Sequence, residues 1–292
     1  MSQPSIAESY HAQTKYTPEG IRQAGRRLDF SKQPSPFKAF ASGDVIDLTG
    51  ALPTGDQMKD DREVARWRAS LSPADRAMAE LGQLLYLTNG VTGMIPQPGE
   101  PFLMRAAPSA GGLYPTELYL VAHGHLALAD GIYHYQVRDH SLVRFWDQDV
   151  WAALTAAAFD HPAFDQADLA LVATGVFERS AWRYEDRAYR RVLLDTGHVL
   201  SNAELVAPLM GRRLAPVGGF RDEAVNELLF LERGEEEALA IALLLPAGAP
   251  EKGPTALPGP RTPGREAPVG HRLALVHEAG KIEAALPLPE SL

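Results

Sequence analysis

The sequence predicts an α+β or α/β fold built around a mixed sheet. Segments with the apolar spacing of helices alternate with short apolar runs of strand length. Two further runs alternate in polarity on either side of a tight turn and predict a hairpin. With 292 residues, of which 45% are hydrophobic and 22% are charged, the chain can bury a core as one large domain or two small ones.

Charge and composition exclude several classes of protein. The formal net charge of -9 argues against the basic stripe that nucleic-acid binding requires. The absence of cysteine excludes disulfides, thiol nucleophiles and cysteine-ligated metals. The N-terminus lacks an apolar stretch of signal-peptide length, and no apolar run approaches the roughly 18 residues of a membrane span. We therefore expect a cytoplasmic protein that binds neither nucleic acid nor membrane.

Composition divides the chain into three parts. Residues 1–60 are polar and are predicted to hold an N-terminal helix and an extended arm. Residues 61–246 alternate helical and strand patterns and are the predicted compact domain. Residues 247–292 form a predicted Pro/Gly-rich C-terminal tail.

The two terminal parts carry their own local predictions. Residues 10–28 predict a helix in which Thr17-Pro18 supplies a cap and a proline at the first position. The segment after Phe30 predicts an arm that wraps its own domain or a partner subunit. In the tail, the density of proline and glycine over residues 250–268 predicts no regular structure. Residues 271–284 predict a terminal hairpin or helix.

The elements of the compact domain follow one another in a clear order. A helix begins at Ser72-Pro73, with proline at the first helical position, and ends at Asn89-Gly90. The remaining predicted elements are a strand at 118–122, a hairpin of 131–135 and 142–145, a helix at 150–159, a strand at 169–177, a long helix at 184–210 ended by Gly211, a short helix at 222–231 and a strand at 238–245.

Residues 105–115 form the most informative loop of the chain. Small residues let the backbone approach a ligand closely, and their successive N–H groups can form a concavity for an anion or a carbonyl. Ser109 adds a hydroxyl and Arg105 adds a fixed positive charge. The alternative is a glycine-rich turn that only leads into the next strand, and spacing alone does not separate the two.

Two other segments are weaker candidates for ligand binding. Gly218 and Gly219 precede a helix near Asp222, so their amides can bind a ligand edge. Five arginines within residues 179–191 can bind a phosphate, although spacing slightly favours a solvated helix start in which Glu185 and Asp186 pair with them. Those arginines are Arg179, Arg183, Arg187, Arg190 and Arg191.

The histidines do not have the spacing of a metal site. His198 stands alone on the long helix, where a packing role is the commoner one. His123 and His125 are a weak pair near a strand end. We therefore predict no metal site.

Taken together, these segments resemble the nitroreductase superfamily, and more closely its SagB-type dehydrogenases, which include the McbC-like azoline oxidases. The resemblance covers roughly residues 10–245 and is carried by YHAQTKYTPEG, ELGQLLYLTNGVTG, RAAPSAGGLYPTELYLV, GIYHYQVRDHSLVRF, RSAWRYEDRAYRRVLLDTGHVLSNAELVAPLMG and PVGGFRDEAVNELLFL. It implies an α+β fold with a central mixed sheet and long dimer-forming helices. It also implies a homodimer with one FMN in each of two interface sites.

The resemblance also implies which residues bind the cofactor. Ser109 and its small neighbours would line the isoalloxazine ring, and a backbone N–H of the Gly218-Gly219 loop would approach flavin N5. The phosphate needs an arginine, and the choice among Arg187, Arg190 and Arg191 stays open. The cofactor-binding residues so implied are Arg105, Ser109, Ala110, Gly111, Gly218, Gly219, Arg187 and Arg191.

In the azoline oxidases of this branch, a functional Lys-Tyr pair follows the tryptophan, and here the pair is Arg183-Tyr184. Tyr184 is the expected base or proton relay, whereas arginine holds charge but cannot deprotonate. The expected function is FMN-dependent dehydrogenation of an azoline-like ring or related bond in a peptide or natural-product precursor, together with a biosynthetic partner. The alternatives are an NAD(P)H-dependent nitro- or quinone reductase and a non-catalytic flavin-fold subunit of a modifying complex.

Overall fold

A seven-stranded sheet runs through the centre of the computed structural model, which describes residues 4–23, 27–40, 42–54, 60–250, 256–260 and 272–287. The described strands are β1 (Asp44–Asp47), β2 (Val91–Ile95), β3 (Phe102–Arg105), β4 (Thr116–Ala122), β5 (Gly131–Gln136), β6 (Ser141–Trp146), β7 (Leu169–Val176), β8 (Arg212–Val217), β9 (Glu236–Pro246), β10 (Ala256–Pro260) and β11 (Ile282–Pro287). The described helices are α1 (Ile6–Thr14), α2 (Pro18–Gln23), α3 (Asp61–Ser70), α4 (Pro73–Asn89), α5 (Trp151–Ala157), α6 (Phe177–Tyr184), α7 (Ala188–Val206), α8 (Asp222–Leu228) and α9 (Arg272–Gly280).

The sheet has the strand order β1-β6-β5-β4-β7-β9-β8, and helices flank it. The α+β fold is thus confirmed, but the expectation of a mixed sheet is wrong, because each neighbouring pair in this order is antiparallel. The reason is the connectivity. Neighbouring strands are joined by hairpins, as in β4–β5–β6, or by excursions that return in the opposite direction.

The helix and strand signals of the compact domain translate well into structure. The α4 helix starts at Pro73, and the Ser72 hydroxyl accepts the Asp75 N–H at 3.2 Å as predicted for a capped start. Its apolar side chains, such as Leu84 and Leu85, are buried in the core beneath the sheet. The predicted hairpin is the β5–β6 pair.

The predicted long helix of residues 184–210 begins in the wrong place. The α6 helix starts directly after β7 at Phe177, and the helical path breaks at Glu185, whose φ is 50°. A short 3₁₀ turn then leads into α7, and Gly211 ends the helical segment with φ 66°. The break places Arg183 and Tyr184 in the last turn of a separate short helix.

The N-terminal part is also divided differently from the prediction. The single helix expected over residues 10–28 is two helices, α1 and α2, because Pro18 disfavours a helical conformation for Thr17 before it. The Thr17 hydroxyl does cap α2 by accepting the Gly20 N–H at 3.0 Å. Residues 24–26 of the expected helix lie outside the described residues, and residues 27–28 at its expected end are not helical.

The arm that follows wraps its own domain. The Asp29 carbonyl accepts the Trp182 indole N–H at 3.2 Å, and the Lys38 ammonium donates to the Tyr119 hydroxyl at 2.7 Å. The arm also contains β1, which pairs with β6 and was not predicted. The edge strand β8 was missed for a different reason: Pro216 interrupts its pattern, and an edge strand tolerates a proline.

The C-terminal part contains regular structure that its composition did not predict. β10 lies within the Pro/Gly-dense stretch and pairs antiparallel with β11. Residues 271–284 were expected to form a hairpin or a helix, and they contain α9 and the start of β11. The remaining tail predictions, at residues 251–255, 261–271 and 288–292, lie outside the described residues.

The Lys281 ammonium fastens this C-terminal segment to α8 and β9. It is buried and forms ion pairs with Glu223 at 3.0 Å, with Glu278 at 2.9 Å and with Glu237. Replacing Lys281 by methionine leaves these carboxylates without their shared cation, so we expect the segment to open. Hydrogen exchange of the α9 amides should accelerate roughly tenfold or more. In contrast, Lys32→Met, which removes an exposed pair, should leave α9 exchange unchanged; equal rates in both variants would contradict this role.

His140, in the β5–β6 turn, makes stability depend on pH. Burial lowers the pKa of His140 to about 4, and its Nδ1 lies 2.8 Å from the Tyr135 hydroxyl. The unfolded chain therefore binds more protons than the folded chain between about pH 6.5 and about pH 4, so acid lowers the free energy of unfolding. Asparagine suits the positive φ of 49°.

Between neutral pH and about pH 4.5, the free energy of unfolding should therefore fall by about 2 kcal/mol less in His140→Asn than in the parent. This figure allows for solvent screening. Urea unfolding at both pH values measures it. The same acid loss in the parent and the variant would show that His140 does not contribute.

None of the helices in the described ranges combines the length and apolar content needed to cross a bilayer.

Candidate functional site

The small-residue loop between β3 and β4 is tied to α7 by one carboxylate. The Ser109 hydroxyl donates to Asp195 Oδ2 at 2.6 Å and accepts the Tyr114 N–H at 2.8 Å. The Ala110 N–H donates to the same Asp195 oxygen at 3.2 Å. The Ser109 hydroxyl and the Ala110 N–H were both predicted to face a ligand. In the structure both of them donate their hydrogen bond to Asp195.

Asp195 was missed as a site residue because its sequence neighbourhood marks it only as one residue of a helix. Burial raises the pKa of Asp195, and the hydrogen bonds from Ser109 and Ala110 oppose that rise. The hydrogen bonds that hold the loop therefore offset part of the free-energy cost of burying the Asp195 carboxylate. Its spacing on α7 gave no sign that it would meet a loop some eighty-five residues earlier in the chain.

Gly111 brings the loop against the end of α6. Its φ of 69° is left-handed, and a Cβ placed there would lie 2.9 Å from the Tyr184 hydroxyl oxygen and 3.3 Å from Arg183 Cδ. The structure therefore brings together the predicted catalytic pair and the predicted ring-binding loop. Only a residue without a side chain fits between them.

The arginine-rich segment divides into three roles. Arg179 is buried and donates to Glu117 and, at 2.9 Å, to the Tyr114 carbonyl, which anchors α6 beneath the loop. Burial raises the pKa of Glu117, but the His134 hydrogen bond and the charges of Arg179 and Arg105 outweigh it and hold that pKa below its usual range.

Arg187 and Arg190 bind the N-terminal helix instead of facing the loop. Arg187 donates to the Thr14 carbonyl and lies 3.8 Å from the centre of the Tyr16 ring. Arg190 donates to the Thr14 hydroxyl at 2.9 Å. The expected pairing of these arginines with Asp186 is not seen in the described part of the chain, where Asp186 accepts hydrogen bonds from residues of α1 and α9 instead.

Arg183 and Arg191 flank Tyr184. Their guanidinium carbons lie 5.7 Å and 5.4 Å from the centre of its ring. The Arg191 Nε is buried and has no hydrogen-bond partner among the described residues. This places two permanent positive charges around the phenol.

Arg105 lies beneath the loop. Its guanidinium donates to the carbonyls of Pro36 and, at 3.3 Å, of Thr116, and it packs between the rings of Phe37 and Tyr114. Burial lowers the pKa of Arg105 to about 10, so the group stays charged at neutral pH. Its buried Nε finds no partner in the described residues.

The Gly218-Gly219 loop connects β8 to α8. A Cβ at Gly218 would meet no atom within 4 Å, so this backbone faces open space. Within the described residues, no hydrogen bond links it to the Gly111 loop. The structure brings Ser109, Ala110 and Gly111 together with Arg183 and Tyr184, with Arg191 on the Tyr184 ring, whereas Arg105 lies against Tyr114 at the base of the loop. It does not join the two glycines to this group by any hydrogen bond among the described residues.

The histidines have other partners. His198 is exposed, and its Nδ1 lies 2.8 Å from the Leu194 carbonyl of its own helix. No metal site was predicted at His123. Its side chain lies near Asp130 and Asp149, and one potential ligand atom from each of the three residues lies within 4.8 Å of the others. His123 Nδ1 lies 3.1 Å from Asp149, which is also the geometry of an exposed ion pair.

Comparison with known proteins identifies the family to which this fold belongs. Residues 66–248 match the model of the nitroreductase family, so the chain belongs to that oxidoreductase family. It is 32% identical over 152 residues to MJ1384 of Methanocaldococcus jannaschii, which is named as a nitroreductase; the match covers 52% of this chain and 73% of that protein. The match to the microcin B17-processing protein McbC of Escherichia coli is 28% identical and covers 47% of this chain and 52% of McbC.

Solved structures extend the match over the whole chain. A protein from Anabaena variabilis described as a nitroreductase has a TM-score of 0.86 and 41% identity, over 99% of this chain and 57% of that one. The microcin synthetase McbBCD complex matches at a TM-score of 0.50 with 19% identity, over 80% of this chain and 85% of that one, which supports the fold alone. The chain thus spans little more than half of the Anabaena protein and of McbC. The match to McbC confirms the resemblance to the branch that contains it.

Proposed function

We propose that the chain is an FMN-dependent oxidoreductase that dehydrogenates an azoline-like ring or a related bond in a peptide or natural-product precursor. The observation that carries this proposal is the meeting of Gly111 with Arg183 and Tyr184, which puts the small-residue loop directly beside a tyrosine hydroxyl. The flavin domain that we propose spans residues 61–246. A cytoplasmic location, which suits a chain without cysteine, is part of the proposal.

The loop suits the flat ring of a flavin. Gly111 projects no side chain from the loop, so its backbone packs directly against Tyr184 and Arg183, and Ser109 and Ala110 form a small-residue wall held by Asp195. The buried positive charge of Arg105 favours electron density on a ring placed above it. When bound, FMN would accept a hydride equivalent at N5, and in this proposal a backbone N–H of the Gly218-Gly219 loop would approach that atom.

The FMN phosphate has one better-suited candidate among the arginines. Arg187 and Arg190 already donate to Thr14, so using them would require α1 to release them. Arg191 carries a buried Nε without a partner in the described residues. We therefore place Arg191 first and Arg187 second as phosphate ligands.

Tyr184 is the group that we propose moves the proton. Dehydrogenation of an azoline removes one carbon-bound hydrogen as a proton and a second as hydride, and the proton needs an acceptor at the ring. The Tyr184 hydroxyl lies against the Gly111 backbone, and the guanidinium carbons of Arg183 and Arg191 lie 5.7 Å and 5.4 Å from the centre of its ring.

A homodimer is also part of the proposal. The face of α7 that buries residues such as Val199 and Ala203 packs on the sheet, whereas three leucines on its other face are 44–74% exposed. These leucines are Leu193, Leu194 and Leu205. Because the Gly218-Gly219 loop does not contact the Gly111 loop within one chain, a second copy offers a way to complete the cofactor site.

The relatives support a peptide substrate and a partner. McbC is named as a microcin B17-processing protein, and the protein TfxB of Rhizobium leguminosarum bv. trifolii, 30% identical over 47% of this chain and 38% of TfxB, is named as trifolitoxin-processing. McbC also occurs in a solved synthetase complex with a bound precursor. We infer by analogy that this chain works with other subunits on a peptide.

Anaerobic mixing with NADH or NADPH tests the choice of reaction. The FMN-loaded chain should keep its flavin absorbance, because the electrons come from the organic substrate. Rapid bleaching by either nicotinamide would favour the nitro- or quinone reductase instead. A chain that takes up no added FMN would favour the non-catalytic subunit.

A further inference from the structure

We propose that Arg183 is a specificity-determining residue that binds an acidic group of the substrate beside Tyr184. This inference rests on the proposed function and adds a substrate class to it, namely precursors with a carboxylate near the reacting bond. Two observations about the Arg183 side chain carry it: its stem lies against the loop, and its charged end has no partner among the described residues.

The stem of Arg183 is fixed by the loop. Its Cδ and Nε lie 3.3 Å and 3.5 Å from the position that a Gly111 Cβ would take, and its guanidinium carbon lies 5.7 Å from the centre of the Tyr184 ring. The residue as a whole is nevertheless exposed. The side chain is thus held at the edge of the groove with its charged end open to solvent.

The charged end of Arg183 has no acceptor within the described part of the chain. Arg179, Arg187 and Arg190 each donate to an oxygen of the protein. Arg183 forms neither a hydrogen bond nor an ion pair with described residues, and it lies against the Tyr184 ring and Gly111. Its planar fork of N–H groups is therefore free for the bidentate contact that a carboxylate makes best.

The Arg183 guanidinium gives this edge of the loop a positive charge, although the chain as a whole carries a net charge of -9. Arg191 lies 5.4 Å from the centre of the same ring, but it is the candidate ligand of the FMN phosphate and is not needed for this contact.

A phosphate of FMN would use the same chemistry, so the two anions must be separated. If the flavin ring binds at Gly111, as proposed, its phosphate would lie the length of a ribityl chain away from that ring. Arg183 contacts Gly111 itself and so lies at the ring end, where the substrate reacts. This placement favours a substrate carboxylate over the cofactor phosphate.

Binding of benzoate and benzamide to the FMN-loaded protein tests the inference, because the two probes share a shape and differ in charge. Calorimetric titration of the parent protein should give at least tenfold tighter binding of benzoate, as expected for a hydrogen-bonded charge pair. Arg183→Gln should abolish that preference, and Arg183→Lys should keep part of it. Arg22→Gln, which removes an exposed arginine that pairs with Glu19 on its own helix, should leave it unchanged.

Two outcomes would overturn the inference: equal binding of both probes by the parent, or a full benzoate preference in Arg183→Gln. A selective loss of FMN over riboflavin in Arg183→Gln would also overturn it, by assigning Arg183 to the cofactor phosphate. If the parent chain binds no FMN, the proposed function fails. The same titration on the FMN-free chain then tests Arg183 independently. A benzoate preference that Arg183→Gln abolishes would support the anion-binding role, and the absence of such a preference would overturn it.

Discussion

Replacing Gly111 by alanine should weaken FMN binding by at least tenfold and slow turnover by about 100-fold. The new methyl group would lie 2.9 Å from the Tyr184 hydroxyl oxygen and 3.3 Å from Arg183 Cδ, so Tyr184 must move and the groove must narrow. A displacement of even about 1 Å in a reacting geometry costs roughly two orders of magnitude in rate. Equilibrium titration with FMN and stopped-flow measurement of flavin reduction by substrate report the two effects.

Gly211 provides the matched control. It has nearly the same φ, 66° against 69°, but a Cβ there would meet no atom within 4 Å. Gly211→Ala should therefore carry the same backbone cost as Gly111→Ala, about 1 kcal/mol, and lower the Tm accordingly. Its affinity for FMN should not change. If both variants lost FMN equally, backbone strain and not the groove would explain the loss. If neither did, the ring would not lie at Gly111.

Replacing Tyr184 by phenylalanine should leave the FMN content intact and slow turnover by roughly 10²–10⁴-fold, the usual effect of losing an acid–base group. The ring stays between Arg183 and Arg191, so only the hydroxyl is removed. FMN content, the rate of flavin reduction by substrate and the pH profile of that rate should be measured together. The limb of the profile that reports the essential base should change.

The control for this substitution is Tyr133→Phe. The Tyr133 hydroxyl donates to the Ala129 carbonyl at 2.7 Å, away from the loop, so its loss should affect stability and not turnover. Unchanged turnover in Tyr184→Phe would remove the tyrosine from the mechanism. A rate loss accompanied by an equal loss of FMN would assign it to cofactor binding instead.

Much of the fold could be predicted because its signals are local. The cap at Ser72, the alternation of the β5–β6 hairpin and the apolar run of β7 each depend on a few neighbouring residues. The break at Glu185 was not predictable from spacing, because apolar residues continue at helical intervals across it. The antiparallel sheet was missed because strand direction depends on connections and not on strand composition.

The candidate site divides along the same line. Ser109 and Gly111 were predicted from the run of small residues, whereas Arg183 and Tyr184 were implied by the resemblance to the SagB-type branch. Asp195 was missed because its role depends on a contact between α7 and a distant loop. The assignment of Arg187 to the N-terminal helix depends on the same kind of long-range contact, which only the folded chain brings about.

Titration of the purified chain with FMN decides whether it is a flavoprotein. We expect saturable binding of one FMN per chain, a dimer in solution, and a bound flavin that an azoline substrate bleaches in the absence of oxygen while NADH does not. Sub-stoichiometric or absent FMN binding by a folded chain would contradict this expectation. The chain would then be a member of the nitroreductase family without the cofactor chemistry proposed for it.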